Sequence, residues 1–177
     1  NLKRMLAWLA VAQLGTFMLA FAAQTPEAYS ALIFYLGVQA AGFIGAFGVV
    51  MTTAEGGREH DRLEHFAGIA RHRKLLAVAM TVFTLNLAGI PGTGGFWARW
   101  QLLSASVVAG DLGFVIAQTV ASVLTLYTCM RVPVVMFMRE ETFEATESAL
   151  PSTMELGVLL ACIAVAVGFG VWPDPEL

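Results

Sequence analysis

Apolar positions along this chain fall in long, nearly unbroken runs rather than at every second or every third and fourth place. Five runs stand out, at residues 5–23, 28–52, 75–109, 112–138 and 154–172. A helix written this way is apolar on all sides, the pattern of a segment with no water-facing stripe. Four of the five hold 19 to 27 residues, near the ~20 that a helix needs to cross a hydrocarbon layer of ~30 Å. The pattern predicts an all-α integral membrane protein with about five transmembrane helices in a single membrane domain over residues 1–177.

The third run departs from the rest. It holds 35 residues without an acid, a helix of ~52 Å if continuous. Its middle carries Gly89, Ile90, Pro91, Gly92, Thr93, Gly94 and Gly95, residues that free or lock the backbone in ways a helix interior does not use. The prediction is a discontinuous helix, broken near 89–95. The alternative is a re-entrant hairpin plus a further helix. Unwound backbone at membrane depth survives only beside protein or water. Freed carbonyls and a half-helix N-terminus near Phe96 are then expected to polarise water or hold ions.

Charge supplies a side. Of ten basic residues, Lys3, Arg4, Arg58, Arg62, Arg71, Arg73, Lys74 and Arg139 fall on one side of an alternating five-span layout, and none on the other. Such a bias predicts an N-terminus on the cytoplasmic or matrix side. Two full crossings within 75–109 would split Arg139 from the N-terminal cluster, so one broken crossing is favoured. Charged residues make up 13% of the chain and mean hydropathy is +0.72, against about 25% charge in soluble domains. Lys3 and Arg4 ahead of the first run imitate a secretory signal. The 19-residue run exceeds the ~7–15 of a signal core, and the opening Asn1 suggests a fragment, a processed chain or part of a split protein.

The remaining basic residues, Arg99 and Arg131, lie within spans. Arg99 follows the break by four residues, near mid-membrane, where a guanidinium costs at least ~2.5–3.5 kcal/mol on insertion scales and marks a functional site by default. Arginine hardly deprotonates, so it serves as an electrostatic or hydrogen-bonding element rather than a proton carrier. The alternative role is to tie helices together. Arg131, close to the end of its span, fits snorkelling as well as function. Gln13, Gln39 and Gln118 could support a water file or bond between helices. Twelve of thirteen acids fall in loops or tails, with Glu155 at a helix start, so no carboxylate titrates inside the membrane. His60, His65 and His72 lack metal-ligand spacing and belong to a solvated loop. Gly42, Gly45 and Gly48 form a small-residue packing face. Cys129 and Cys162 are expected as core residues. The chain shows no nucleotide loop, catalytic triad, haem motif or nucleic-acid signature, and no metal or cofactor is expected to be bound by it.

Three stretches carry a resemblance. Residues Asn1 to Trp8 (NLKRMLAW) are similar to an N-[LV]-K-R-L-L-A-Y segment, and Gly45 to Val50 (GAFGVV) to a G-A-F-A-V-V helix end. Phe66 to Arg71 (FAGIAR), leading to Leu87 to Phe96 (LAGIPGTGGF), resembles F-x-G-L-x-R…L-A-G-I-P-P-T-x-G-F. These resemble the antiporter-like N (chain 2) subunits of NADH–quinone oxidoreductase, respiratory complex I. The resemblance implies the last five helices of a fourteen-helix antiporter-like bundle, with the break in the family's helix twelve. It also implies proton translocation in an energy-converting membrane (bacterial plasma or mitochondrial inner). NADH, FMN, iron–sulfur clusters and quinone would belong to partner subunits, and another chain or missing part would supply the earlier helices with their Glu and Lys. Arg99 stands where the family carries a Lys, Gln13 where a His is frequent, and Phe43 where Asn is common. Those departures leave open a related cation/proton antiporter or membrane-bound hydrogenase subunit, or a degenerate, mainly structural membrane-arm piece.

Overall fold

The computed structural model describes residues 1–53, 62–139 and 153–171. Its elements in chain order are α1 (Leu2–Ala23), α2 (Pro26–Thr53), a 3₁₀ turn (Leu63–Phe66), α3 (Ile69–His72), α4 (Lys74–Ala88), α5 (Gly94–Val108), α6 (Leu112–Met138) and α7 (Thr153–Val171). Helices α1, α2, α6 and α7 are each long and apolar enough to cross a membrane. The protein is an all-α helical bundle with several helices fit to cross a membrane.

Local signals set the helix ends. Asn1 Oδ1 accepts the Arg4 N–H at 3.0 Å and caps α1. The Thr25 hydroxyl accepts the Ala28 N–H at 3.1 Å, with Pro26 in the first helical position, where its missing N–H costs nothing. Glu27 lies in the first turn of α2, stabilised by the positive end of the helix. It is therefore helical rather than in a loop, while Glu155 sits in the first turn of α7, at a helix start as expected.

Helix α2 is the spine, and α4 and α5 lie antiparallel along its whole length. Arg73 at the head of α4 donates to the Thr52 carbonyl at 3.4 Å. Phe83 fills the space left by the absent side chain of Gly45, and Asn86 with Leu87 that of Gly42. Beyond the break, Gly94 meets Val38, Ala98 packs with Tyr35 and Val38, and Leu102 with Ala28, Ala31 and Leu32. The contacts descend α2 in order, so α4 and α5 stack end to end. Each half has 15 residues, about 22 Å, short of the ~30 Å layer, while together they exceed it. Geometrically the pair is one discontinuous rod and no hairpin.

The main core gathers Leu2 and Leu6 of α1, Val49 of α2, Phe83 and Leu87 of α4, and Cys129 and Met136 of α6. The first apolar run is thus built into the bundle. Cys129 and Cys162 are free and buried, as expected. Large apolar side chains such as Trp8, Ile33, Val108 and Met138 point outward, as lipid contact requires. The break is shorter than expected, since helix resumes at Gly94; Gly94 and Gly95 belong to the first turn of α5. His60 and Arg58 lie outside the described residues.

A fastened helix break with a buried arginine

Four carbonyls at the end of any α-helix lack intrahelical partners. For α4 all four are accounted for. Gly89 adopts φ +74, and its N–H bonds the Asn86 carbonyl at 3.0 Å while the Ile90 N–H reaches Leu85 at 3.2 Å. That pair is a Schellman ending, for which a left-handed glycine is the natural residue. The two remaining carbonyls, Leu87 and Ala88, receive the guanidinium of Arg99: Nη2 to Leu87 at 3.3 Å and Nη1 to Ala88 at 3.1 Å. A residue of α5 therefore closes α4.

The linker is equally specific. The Thr93 N–H bonds the Ile90 carbonyl at 3.1 Å, with Pro91 and Gly92 between them and Gly92 at φ +96. This is a type II turn, with proline at its second position and a positive-φ glycine at its third. The Thr93 hydroxyl donates to the same carbonyl at 2.8 Å. Pro91 thus shapes a turn after the helix has ended, rather than disrupting one in progress.

Asn86, which the apolar pattern did not single out, locks the other half. Its Oδ1 accepts the Gly95 N–H at 2.8 Å, satisfying a donor at the start of α5, and its Nδ2 donates to the Val38 carbonyl of α2 at 3.3 Å. Gly95 makes this approach possible, because a Cβ there would lie 1.9 Å from the Asn86 carbonyl oxygen. Helix α7 seals the joint: Gly170 lies so near Gly92 that a Cβ would come within 2.4 Å of the Gly92 carbonyl oxygen. Trp97 Nε1 donates to the Gly170 carbonyl at 3.2 Å. The expectation that the break offers free carbonyls and N–H groups to ions or water is corrected for these groups, since Leu87, Ala88 and Gly95 are already engaged.

Arg99 is 6% exposed. Both its hydrogen-bond partners are backbone carbonyls at the negative end of α4. The described acids, Glu27, Glu64, Asp111 and Glu155, all sit at element ends. Two charge-assisted bonds of ~1.5–3 kcal/mol each offset an insertion cost of about 2.5–3.5 kcal/mol, and the helix dipole adds to them. Among the described residues the charge is thereby held without a carboxylate. Arg99 Nε has no hydrogen-bond partner among the described residues. Beside it a cavity of about 270 Å³ is lined by Pro91, Phe96, Arg99, Trp100, Thr119 and Ser122.

A polar layer occupies the same depth of α2. Val38, which receives Asn86, is followed by Gln39 and preceded by Tyr35 one turn earlier. The Tyr35 hydroxyl donates to Gln13 Oε1 of α1, and its ring meets Phe17 edge-on with centroids 6.0 Å apart. Gln39 is 2% exposed, and neither of its amide atoms has a hydrogen-bond partner among the described residues; the same holds for Gln13 Nε2 and Gln101 Oε1. Gln118 Nε2 donates to the Thr16 hydroxyl at 2.8 Å, tying α6 to α1. Arg131 stands apart from this layer, exposed, beside a second cavity at the end of the bundle where α1 begins. Tyr35, Asn86 and Gln101 escaped the sequence reading; a lone amide three residues before a helix-ending glycine is the signal for Asn86.

A bundle of this kind, built around a discontinuous helix with a buried cation at its joint, defines an antiporter-like membrane protein. Residues 1–125 match the family model described as NADH:quinone oxidoreductase/Mrp antiporter, TM, and the chain belongs to that family. It is similar to NADH-quinone oxidoreductase subunit N of Acidothermus cellulolyticus, 33% identical over 100% of this chain and 34% of that protein. It is also similar to F(420)H(2) dehydrogenase subunit N of Methanosarcina mazei, 34% identical over 99% of this chain and 37% of that protein. Among solved structures, a chain of respiratory complex I from Thermus thermophilus with bound aureothin superposes at a TM-score of 0.77 and 26% identity, covering 97% of this chain and 38% of that one. The chain spans about a third of the length of the curated relatives it matches.

Proposed function

We propose that this chain forms part of a proton-translocating route in the membrane arm of an NADH:quinone oxidoreductase, with electron transfer and quinone reduction carried by other subunits. The observation that carries this reading is the coincidence, at one depth, of a fixed guanidinium and a layer of buried amides with unpartnered atoms. Arg99 sets a permanent positive potential, and Gln13, Tyr35 and Gln39 supply hydrogen-bonding groups that can orient water. The titrating acids and lysines of the route belong to helices outside the third of the relatives' length that this sequence matches. The five crossings run with the basic end on the cytoplasmic or matrix face of an energy-converting membrane.

The test is proton pumping in vesicles holding the assembled complex. Arg99→Ala is expected to lower protons moved per NADH by at least about tenfold while NADH oxidation by the electron-transfer subunits persists, the scale set by loss of a preorganised charge. Unchanged stoichiometry in an assembled Arg99→Ala complex would overturn the electrostatic role and leave a helix-fastening one. A second reading, a subunit coupled to a different dehydrogenase, is favoured by the F(420)H(2) dehydrogenase relative. Mass spectrometry of chains that co-purify in mild detergent separates the two.

A further inference from the structure

The end of the bundle that carries the N-terminus of α1 holds a cavity of about 690 Å³, formed where the 3₁₀ turn meets the last turns of α6. Arg62, Arg131 and Arg139 all line it, together with Glu64, His65 and Thr128. The wall is mixed, since Leu2, Met5 and Val135 complete it. Among the described residues, three guanidiniums and a single carboxylate give the lining a cationic excess. None of the three arginines forms an ion pair among the described residues, while Arg99, the remaining intramembrane cation, is satisfied by carbonyls. Arg131 and Arg139 lie eight residues apart on α6, about 12 Å along the helix, so they bracket the cavity from its inner and outer ends.

The neighbouring surface suits a membrane lipid. The outward face of α6 beside the cavity exposes Leu124, Tyr127, Val134 and Phe137, an apolar track for acyl chains with a tyrosine of the type found at the interface. Arginine forks match phosphate oxygens in two-point contacts, and basic pockets between membrane helices favour anionic headgroups. We propose that this cavity binds the phosphate headgroup of an anionic phospholipid, with its acyl chains lying along α6. The proposal is independent of the proton route, because it uses none of Arg99, Gln13, Tyr35 or Gln39.

The experiment uses the protein purified with its native associates in mild detergent, stripped of lipid and offered phosphatidylglycerol, phosphatidylcholine or inorganic phosphate during native mass spectrometry. Retention of phosphatidylglycerol over phosphatidylcholine is expected, and Arg62→Gln with Arg131→Gln lowers it by about tenfold or more. Equal retention of the two lipids, or no loss in the double variant, overturns the proposal. Competition by millimolar inorganic phosphate as effective as that by the lipid shows a free-anion site and also overturns it. Should the variant fail to fold, a photo-crosslinking phosphatidylglycerol on the unaltered protein decides. Labels on the Leu63–Phe66 turn and near Thr128 and Arg131 support the site, whereas labels confined to other lipid-facing helices overturn it.

Discussion

Arg99 and Asn86 perform the same service from opposite sides of the break. Each is a side chain from one half-helix that satisfies backbone groups of the other. Arginine suits its half of the task because one planar fork reaches two adjacent carbonyls at once. A lysine at position 99 carries its three donors on one nitrogen and lacks the planar fork that spans the two carbonyls, so a bond weakened or lost there costs up to about 1–3 kcal/mol. Arg99→Lys is therefore expected to lower the midpoint of thermal unfolding in detergent. It keeps a positive charge at the joint, so pumping by this variant should fall less than in Arg99→Ala. Equal loss of pumping in the lysine and alanine variants would contradict the idea that charge at position 99 matters to transport.

At the scale of elements, glycines separate into those the backbone needs and those it does not. Gly95→Ala drives a Cβ into the Asn86 carbonyl at 1.9 Å, whereas a Cβ on Gly37 meets nothing within 4 Å. The expected outcome is little folded, membrane-inserted protein for Gly95→Ala and a near-normal yield for Gly37→Ala, read by size-exclusion chromatography in detergent. Gly92→Ala should fall between them, since its φ of +96 strains any side chain although the space is open. The helices themselves, and the existence of a break, were legible because continuous apolar runs and a Gly-Pro-Gly cluster are strong local signals. The joint was not. Whether proline kinks a helix or follows a finished one depends on the sign of φ at Gly89. Whether carbonyls stay free depends on a side chain eleven residues further on. Tyr35 was hidden in the same way: within an apolar run a tyrosine looks like one more large ring until its hydroxyl finds Gln13.

For the whole molecule, the ordered contacts down α2 make α4 and α5 a single rod, which places Arg73 and Asp111 at opposite ends of the bundle. Single cysteines introduced at these two positions in a background lacking Cys129 and Cys162 should react with a membrane-impermeant maleimide from opposite faces of sealed vesicles. Reaction of both from one face would restore the hairpin alternative and overturn the five-crossing arrangement. The basic residues of the described loops should label with Arg73, giving the orientation that charge asymmetry predicts.

The joint between α4 and α5 has a mechanical consequence. An interruption in a transmembrane rod is easily taken for a hinge, but a hinge needs loose bonds, and here the carbonyls of Leu87 and Ala88 and the Gly95 N–H are clasped from across the gap. The two halves form a riveted strut. A push on either end of the pair is carried to the other end of the bundle, and bending the strut requires unclasping Arg99 and Asn86 together.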